Sequence, residues 1–175
     1  MNKVIGILGL LIFFACDPVK TEYKSGIDFS IYKTFCWLEN CSFFYTGPEY
    51  LNRPEIQEAI RKSIIDNLSG KGLRFDSNNP DLLVDFHVTI EDTIVIRYHS
   101  QEDEPYYYKT PFTRADEIHV TKGTLVVHLI DRQRGELVWE SHTEGFLETP
   151  PDLSEKHIRA GINKVLQDFP PKPKE

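Results

Sequence analysis

Residues 82–90 read LLVDFHVTI. Leu82, Val84, Phe86, Val88 and Ile90 fall on one side of an extended chain, and Asp85, His87 and Thr89 fall on the other. A period of two with one apolar side is the pattern of a strand whose sheet is covered on one face and wet on the other. The rest of the chain must therefore supply a single covering layer.

Two stretches can do so. Ile56, Ile60, Ile64 and Leu68 recur every four residues and predict a helix from about Arg53 to Ser69. Asn52 is the predicted N-cap, Pro54 lies in the first turn, Glu55 completes a capping box, and Gly70 and Gly72 end the helix. A second helix follows the capping box Asp152–Glu155 and carries Ile158, Ile162, Val165, Leu166 and Phe169 before Pro170 and Pro171 stop it.

The remaining strands are read from alternation. FSIYKTFCWL at 29–38 predicts a strand with Phe29, Ile31, Phe35 and Trp37 on one face. Residues 39–52 read as a loop with an aromatic patch at Phe43, Phe44 and Tyr45, and a short strand is expected near Leu73–Phe75. Ile94–Tyr98 either continues the central strand or opens another. Residues 99–121 form a long charged and aromatic excursion. Thr124–Ile130 and Glu136–Phe146 then make a hairpin about Asp131–Gly135, with Gly135 left-handed and with Leu137 and Trp139 inward. The order is β-α-β-β-β-β-α. The predicted fold class is α+β: a two-layer, mostly antiparallel sheet backed by two helices.

The first sixteen residues carry a different message. Lys3 precedes an apolar run from Val4 to Phe14, and Ala15 stands before Cys16. This is the layout of a secretory signal with a small residue at the cut. A cysteine at that point reads as a lipidation site, and the run falls short of the roughly 20 apolar residues of a membrane span. The expected organisation is a signal peptide at 1–15, a lipid-anchored tether at 16–28, a single domain at 29–170 and a disordered tail at 171–175. The expected location is the cell envelope, at the outer membrane facing the periplasm, with the membrane engaged through the lipid.

The whole chain has 20 basic and 27 acidic residues, a net charge of −7. Loss of residues 1–15 removes Lys3 and leaves −8. That balance argues against nucleic acid as a partner and against a polybasic grip on anionic lipid. An exported compartment permits a disulfide between Cys36 and Cys41, and two unlinked small residues are the alternative.

No G-x-S-x-G, H-E-x-x-H, C-x-x-C or phosphate-cradling glycine loop is present, and no cofactor is expected. His87, His128 and His142 all lie on predicted strands opposite the main apolar residues. Three imidazoles meeting on a wet face can hold zinc, but scattered polar residues are the ordinary content of such a face. Acidic runs such as Glu102-Asp103-Glu104 lack calcium-loop spacing and read as solvated charge. Tyr106, Tyr107, Tyr108 and Phe112 are the candidate partner-binding residues, because tyrosine offers an apolar face and a polar tip.

These residues also carry a likeness. YKTFCWL at 32–38, KGLRF at 71–75, NPDLLVDFHV at 79–88, GTLVVHLID at 123–131, LVWE at 137–140 and INKVLQDFPP at 162–171 resemble, in order and spacing, the bacterial lipoproteins grouped as domain of unknown function 4136. Relatives usually carry Gly two residues after the strand Trp; Ser141 stands here. The resemblance implies an envelope lipoprotein and transfers no catalytic residues. The expected role is a non-enzymatic binding or assembly module whose partner is an envelope protein or a glycan. The alternative is a small hydrolase or metal-dependent enzyme with its site on the exposed sheet face.

Overall fold

The computed structural model describes residues 19–38, 44–98, 115–147 and 151–171. Among these residues, seven strands form one mixed sheet: β1 (Val19–Tyr23), β2 (Thr34–Trp37), β3 (Phe44–Thr46), β4 (Arg74–Phe75), β5 (Leu82–Tyr98), β6 (Ala115–Asp131) and β7 (Glu136–Leu147). Two helices, α1 (Pro54–Gly70) and α2 (Glu155–Val165), complete the α+β fold. The strand order is β1-β7-β6-β5-β2-β4, with β3 also paired to β5. The run β5-β6-β7-β1 is antiparallel, whereas β2 and β3 lie parallel to β5 at successive levels of its edge.

Both helices cover one face. Leu82, Val84, Phe86, Val127, Leu129 and Trp139 from the sheet are buried with Ile56, Ile60, Ile64 and Leu68 of α1 and with Ile162 and Val165 of α2. Leu166 and Phe169, beyond the end of α2, continue that stripe, and Phe169 meets Trp139 edge-on at 5.4 Å. The Arg61 guanidinium lies over Trp37 and Phe86, at 5.1 and 5.6 Å from the ring centroids, a cation–π contact against the aromatic side of the core. Ser141 is fully buried and its hydroxyl meets Thr21 Oγ1 at 3.2 Å.

Several expectations are corrected. Residues 19–23, assigned to the tether, form the edge strand β1: their weak pattern is rescued by pairing with β7, from Val19↔Thr143 to Tyr23↔Trp139. The strand predicted from Phe29 starts only at Thr34, because Phe29–Ile31 closes into a 3-10 turn capped by Asp28. Arg53, not Asn52, is the N-cap of α1; the Asn52 side chain accepts instead from Gln57 Nε2 at 2.9 Å. Ser154 caps α2, and Asp152 accepts from the Ser154 amide one turn earlier. Leu137 faces the open side and is 47% exposed, because an irregularity between Leu129 and Ile130 makes room for both Val138 and Trp139 in the core.

Within the excursion expected at 99–121, residues 115–121 belong to β6. β5 is a single strand to Tyr98, and it pairs with β6 as far as Tyr98↔Ala115. Since β7 ends at Leu147↔Thr121 and β3 at Thr46↔Thr89, the far part of this hairpin is, among the described residues, a two-stranded arm. From Asp92 to Tyr98 it is about 20 Å long. Among the described residues no helix is long and apolar enough to cross a membrane.

Candidate functional site

The open face of the sheet carries a polar row whose geometry follows from strand register. Asp85 of β5 stands directly opposite His128 of β6, and His128 stands directly opposite Glu140 of β7. Residues opposite one another project to the same side, and residues two apart on a strand do so too, which adds His87. The side of Leu82, Val84 and Phe86 is taken by the core, so this row faces away from both helices.

The contacts are close. His87 Nε2 meets Asp85 Oδ2 at 2.8 Å, and His128 Nδ1 lies 3.6 Å from the same oxygen. His128 Nε2 meets Glu140 Oε2 at 2.8 Å. The two imidazoles sit edge to face at 5.5 Å. All four side chains are between 15% and 34% exposed, partly withdrawn from water but reachable from it. The arrangement can hold a cation or relay a proton between two carboxylates.

Of the three histidines singled out in the sequence, the structure brings His87 and His128 together. His142 shares the face but pairs with Val126, one step along β7, beside Lys20 of β1, and is not part of the group of potential ligands. Asp85 and Glu140 take its place. Asp85-x-His87 on a strand was a legible signal for one half of the cluster. Glu140 had none, since only the β6–β7 register brings it in.

Other sequence candidates fall elsewhere. Cys36 is a half-buried free thiol on β2; Cys41, its candidate partner, lies outside the described residues. So do Cys16, Tyr106, Tyr107, Tyr108, Phe112 and the tail from 172. On the opposite face of the sheet, Ile60, Val88, Ile90, Leu125, Leu153 and Ile158 line an apolar groove of about 260 Å³ between the helices and the base of the arm.

This architecture, an open mixed sheet with two helices on one face and a polar row on the other, defines an α+β module. The chain belongs to the family described as Domain of unknown function (DUF4136), whose model matches residues 19–171. No curated protein shows a significant match. Among solved structures it is similar to a PDZ domain protein from Parabacteroides distasonis, at 23% identity and a TM-score of 0.56, over 90% of this chain and 36% of that one. It thus spans about a third of that protein's length. It is also similar to PelC from Paraburkholderia phytofirmans, solved as a dodecamer, at 13% identity and a TM-score of 0.52, over 90% of this chain and 100% of that one. At these identities the likeness is one of fold.

Proposed function

We propose that this chain is an envelope lipoprotein, anchored through Cys16, that acts as a non-enzymatic binding or assembly module and engages a protein partner with its β5–β6 arm. One observation carries the reading. The side of β5 that packs the core at Leu82–Ile90 continues along the arm as Ile94, Ile96 and Tyr98, which are 52%, 52% and 68% exposed. Two aliphatic side chains and a tyrosine in one exposed row suit an apolar protein surface better than a sugar.

The direction of the arm supports this. Val19 begins β1 at the level of Thr143, on the arm side of the sheet, because β1 runs antiparallel to β7. Two residues, Asp17 and Pro18, separate Val19 from Cys16, a reach of about 10 Å. A lipid on Cys16 therefore holds the body close to the membrane, with the arm extending from the membrane-proximal end. The partner is met at that surface. The fold neighbour PelC assembles as a dodecamer, so a second copy is one candidate partner.

The anchor is tested by Cys16→Ser, expected to release the protein from membranes into the soluble fraction; retention after high-salt washing overturns the anchor. The arm is tested by a photo-crosslinking residue at position 96 in intact cells, with position 156 on the outer surface of α2 as control. A discrete adduct specific to position 96 and lost on Ile94→Ser supports the reading, and its mass separates a second copy from another protein. Monomer alone at position 96 overturns it.

A further inference from the structure

His128 has a carboxylate at each ring nitrogen, with Glu140 at 2.8 Å from Nε2 and Asp85 at 3.6 Å from Nδ1. A neutral imidazole has one N–H to give. If that hydrogen goes to Glu140, the nearer acceptor, the Nδ1 lone pair points at an anionic oxygen. Two electron-rich atoms then face each other, and a cation between them resolves the conflict.

We propose that Asp85, His87 and His128 form a binding site for a zinc-class divalent ion, with Glu140 orienting His128 from behind. This inference does not rest on the arm or on the anchor.

Four features point the same way. The donors are two imidazole nitrogens and one carboxylate oxygen, all within 4.8 Å of one another, and this is a set that zinc accepts. Magnesium and calcium call for oxygen donors, and two of the three here are nitrogens. The spacing also suits the ion. Bonds of 2.0–2.1 Å in a tetrahedron put the ligand atoms about 3.3 Å apart. The contacts to Asp85 Oδ2, 2.8 Å from His87 Nε2 and 3.6 Å from His128 Nδ1, bracket that value.

The outer carboxylate is the third feature. Zinc-bound histidines characteristically give their second N–H to a carboxylate, which fixes the tautomer and strengthens the donor. Glu140 Oε2 makes an ion-pair contact with Nε2 at 2.8 Å, on the side of the ring that this role would use. The fourth is the scaffold. All of the groups project from paired strands in the middle of the sheet, where the ladder holds spacing better than a loop does.

The test uses the full chain, purified without a histidine tag and stripped with a chelator, titrated calorimetrically with zinc and with magnesium, and with cobalt as an optical probe. One equivalent of zinc is expected, no heat with magnesium, and visible cobalt absorption of tetrahedral intensity. His87→Ala and His128→Ala are each expected to weaken zinc binding by at least about tenfold, and Glu140→Gln by about 10- to 100-fold. His142→Ala should leave it unchanged. Circular dichroism melting checks that each variant is folded; Asp85→Asn, close in shape, serves if an alanine variant is not. Absence of stoichiometric zinc uptake by the native chain overturns the proposal. Uptake that survives in the His87→Ala, His128→Ala double variant also overturns it, by placing the ion elsewhere.

Discussion

Asp131 closes the β6–β7 turn with a carboxylate that is 5% exposed. Burial by itself would raise its pKa, but hydrogen bonds from the Arg134 amide and the Tyr32 hydroxyl outweigh burial and hold it below the ordinary value. Tyr32 moves the other way: burial first, and then its bond to Asp131, push it up to about 12. Asp81 is lowered by the amides of Lys33 and, against an opposing effect of burial, of Thr34; these contacts lock β2 to the start of β5. A carboxylate depressed in the folded state adds stability above its unfolded pKa, about 3.9, and that stability is lost as pH falls through the folded value. A raised tyrosine adds stability that is complete below about 10 and lost as pH rises toward 12. Thermal midpoints are therefore expected to fall on both sides, below about pH 4 and above about pH 10. Asp131→Asn should cost about 1–3 kcal/mol at neutral pH and flatten the acid limb. An acid limb as steep as the native one would assign the sensitivity to other carboxylates.

At the scale of elements, the facing of β5 is the main claim. Phe86 is fully buried beneath α1, whereas Thr89 stands half-exposed on the open face. Phe86→Asp should abolish the thermal transition, since an unpaired buried charge costs several kcal/mol. Thr89→Asp should shift stability by about 0.5 kcal/mol or less. Equal damage at the two positions would contradict the facing. Ile64→Ala, in the fully buried part of the α1 stripe, is expected to cost about 2–5 kcal/mol by chemical denaturation. Helix existence was legible because a four-residue apolar period survives any detail of capping. The caps were less so: Asn52 and Asp152 each stand one or two residues ahead of the residue that caps, and polar residues near a helix start satisfy several turn geometries equally well.

For the whole molecule, β1 decides how the sheet ends. It covers the β7 edge, its Tyr23 packs against Phe29 at 6.3 Å, and Lys24 beside it pairs with Glu136 at 2.6 Å. Deleting residues 19–23 should lower the thermal midpoint and expose a long strand edge, seen as concentration-dependent association by size-exclusion chromatography. A monomer of unchanged stability would show that β1 is an accessory strand. Nothing in VKTEY announces this role, because one valine and one tyrosine among three polar residues do not distinguish an edge strand from a tether. The energy comes from a partner strand about 120 residues away.

Periodicity alone determined the class of this protein: two helices with one apolar stripe each, a central strand with one apolar side, and so one layer laid on another. The same alternation placed His87 on the open face. Tertiary structure decided everything that depends on register. It joined β1 to β7, carried β5 and β6 past the end of the sheet as an arm, and set Asp85, His128 and Glu140 in one row while leaving His142 a step away. The reason is physical. Local pattern says which side of a strand a residue takes, but the level it occupies beside another strand is set by the sum of pairing and packing across the whole sheet.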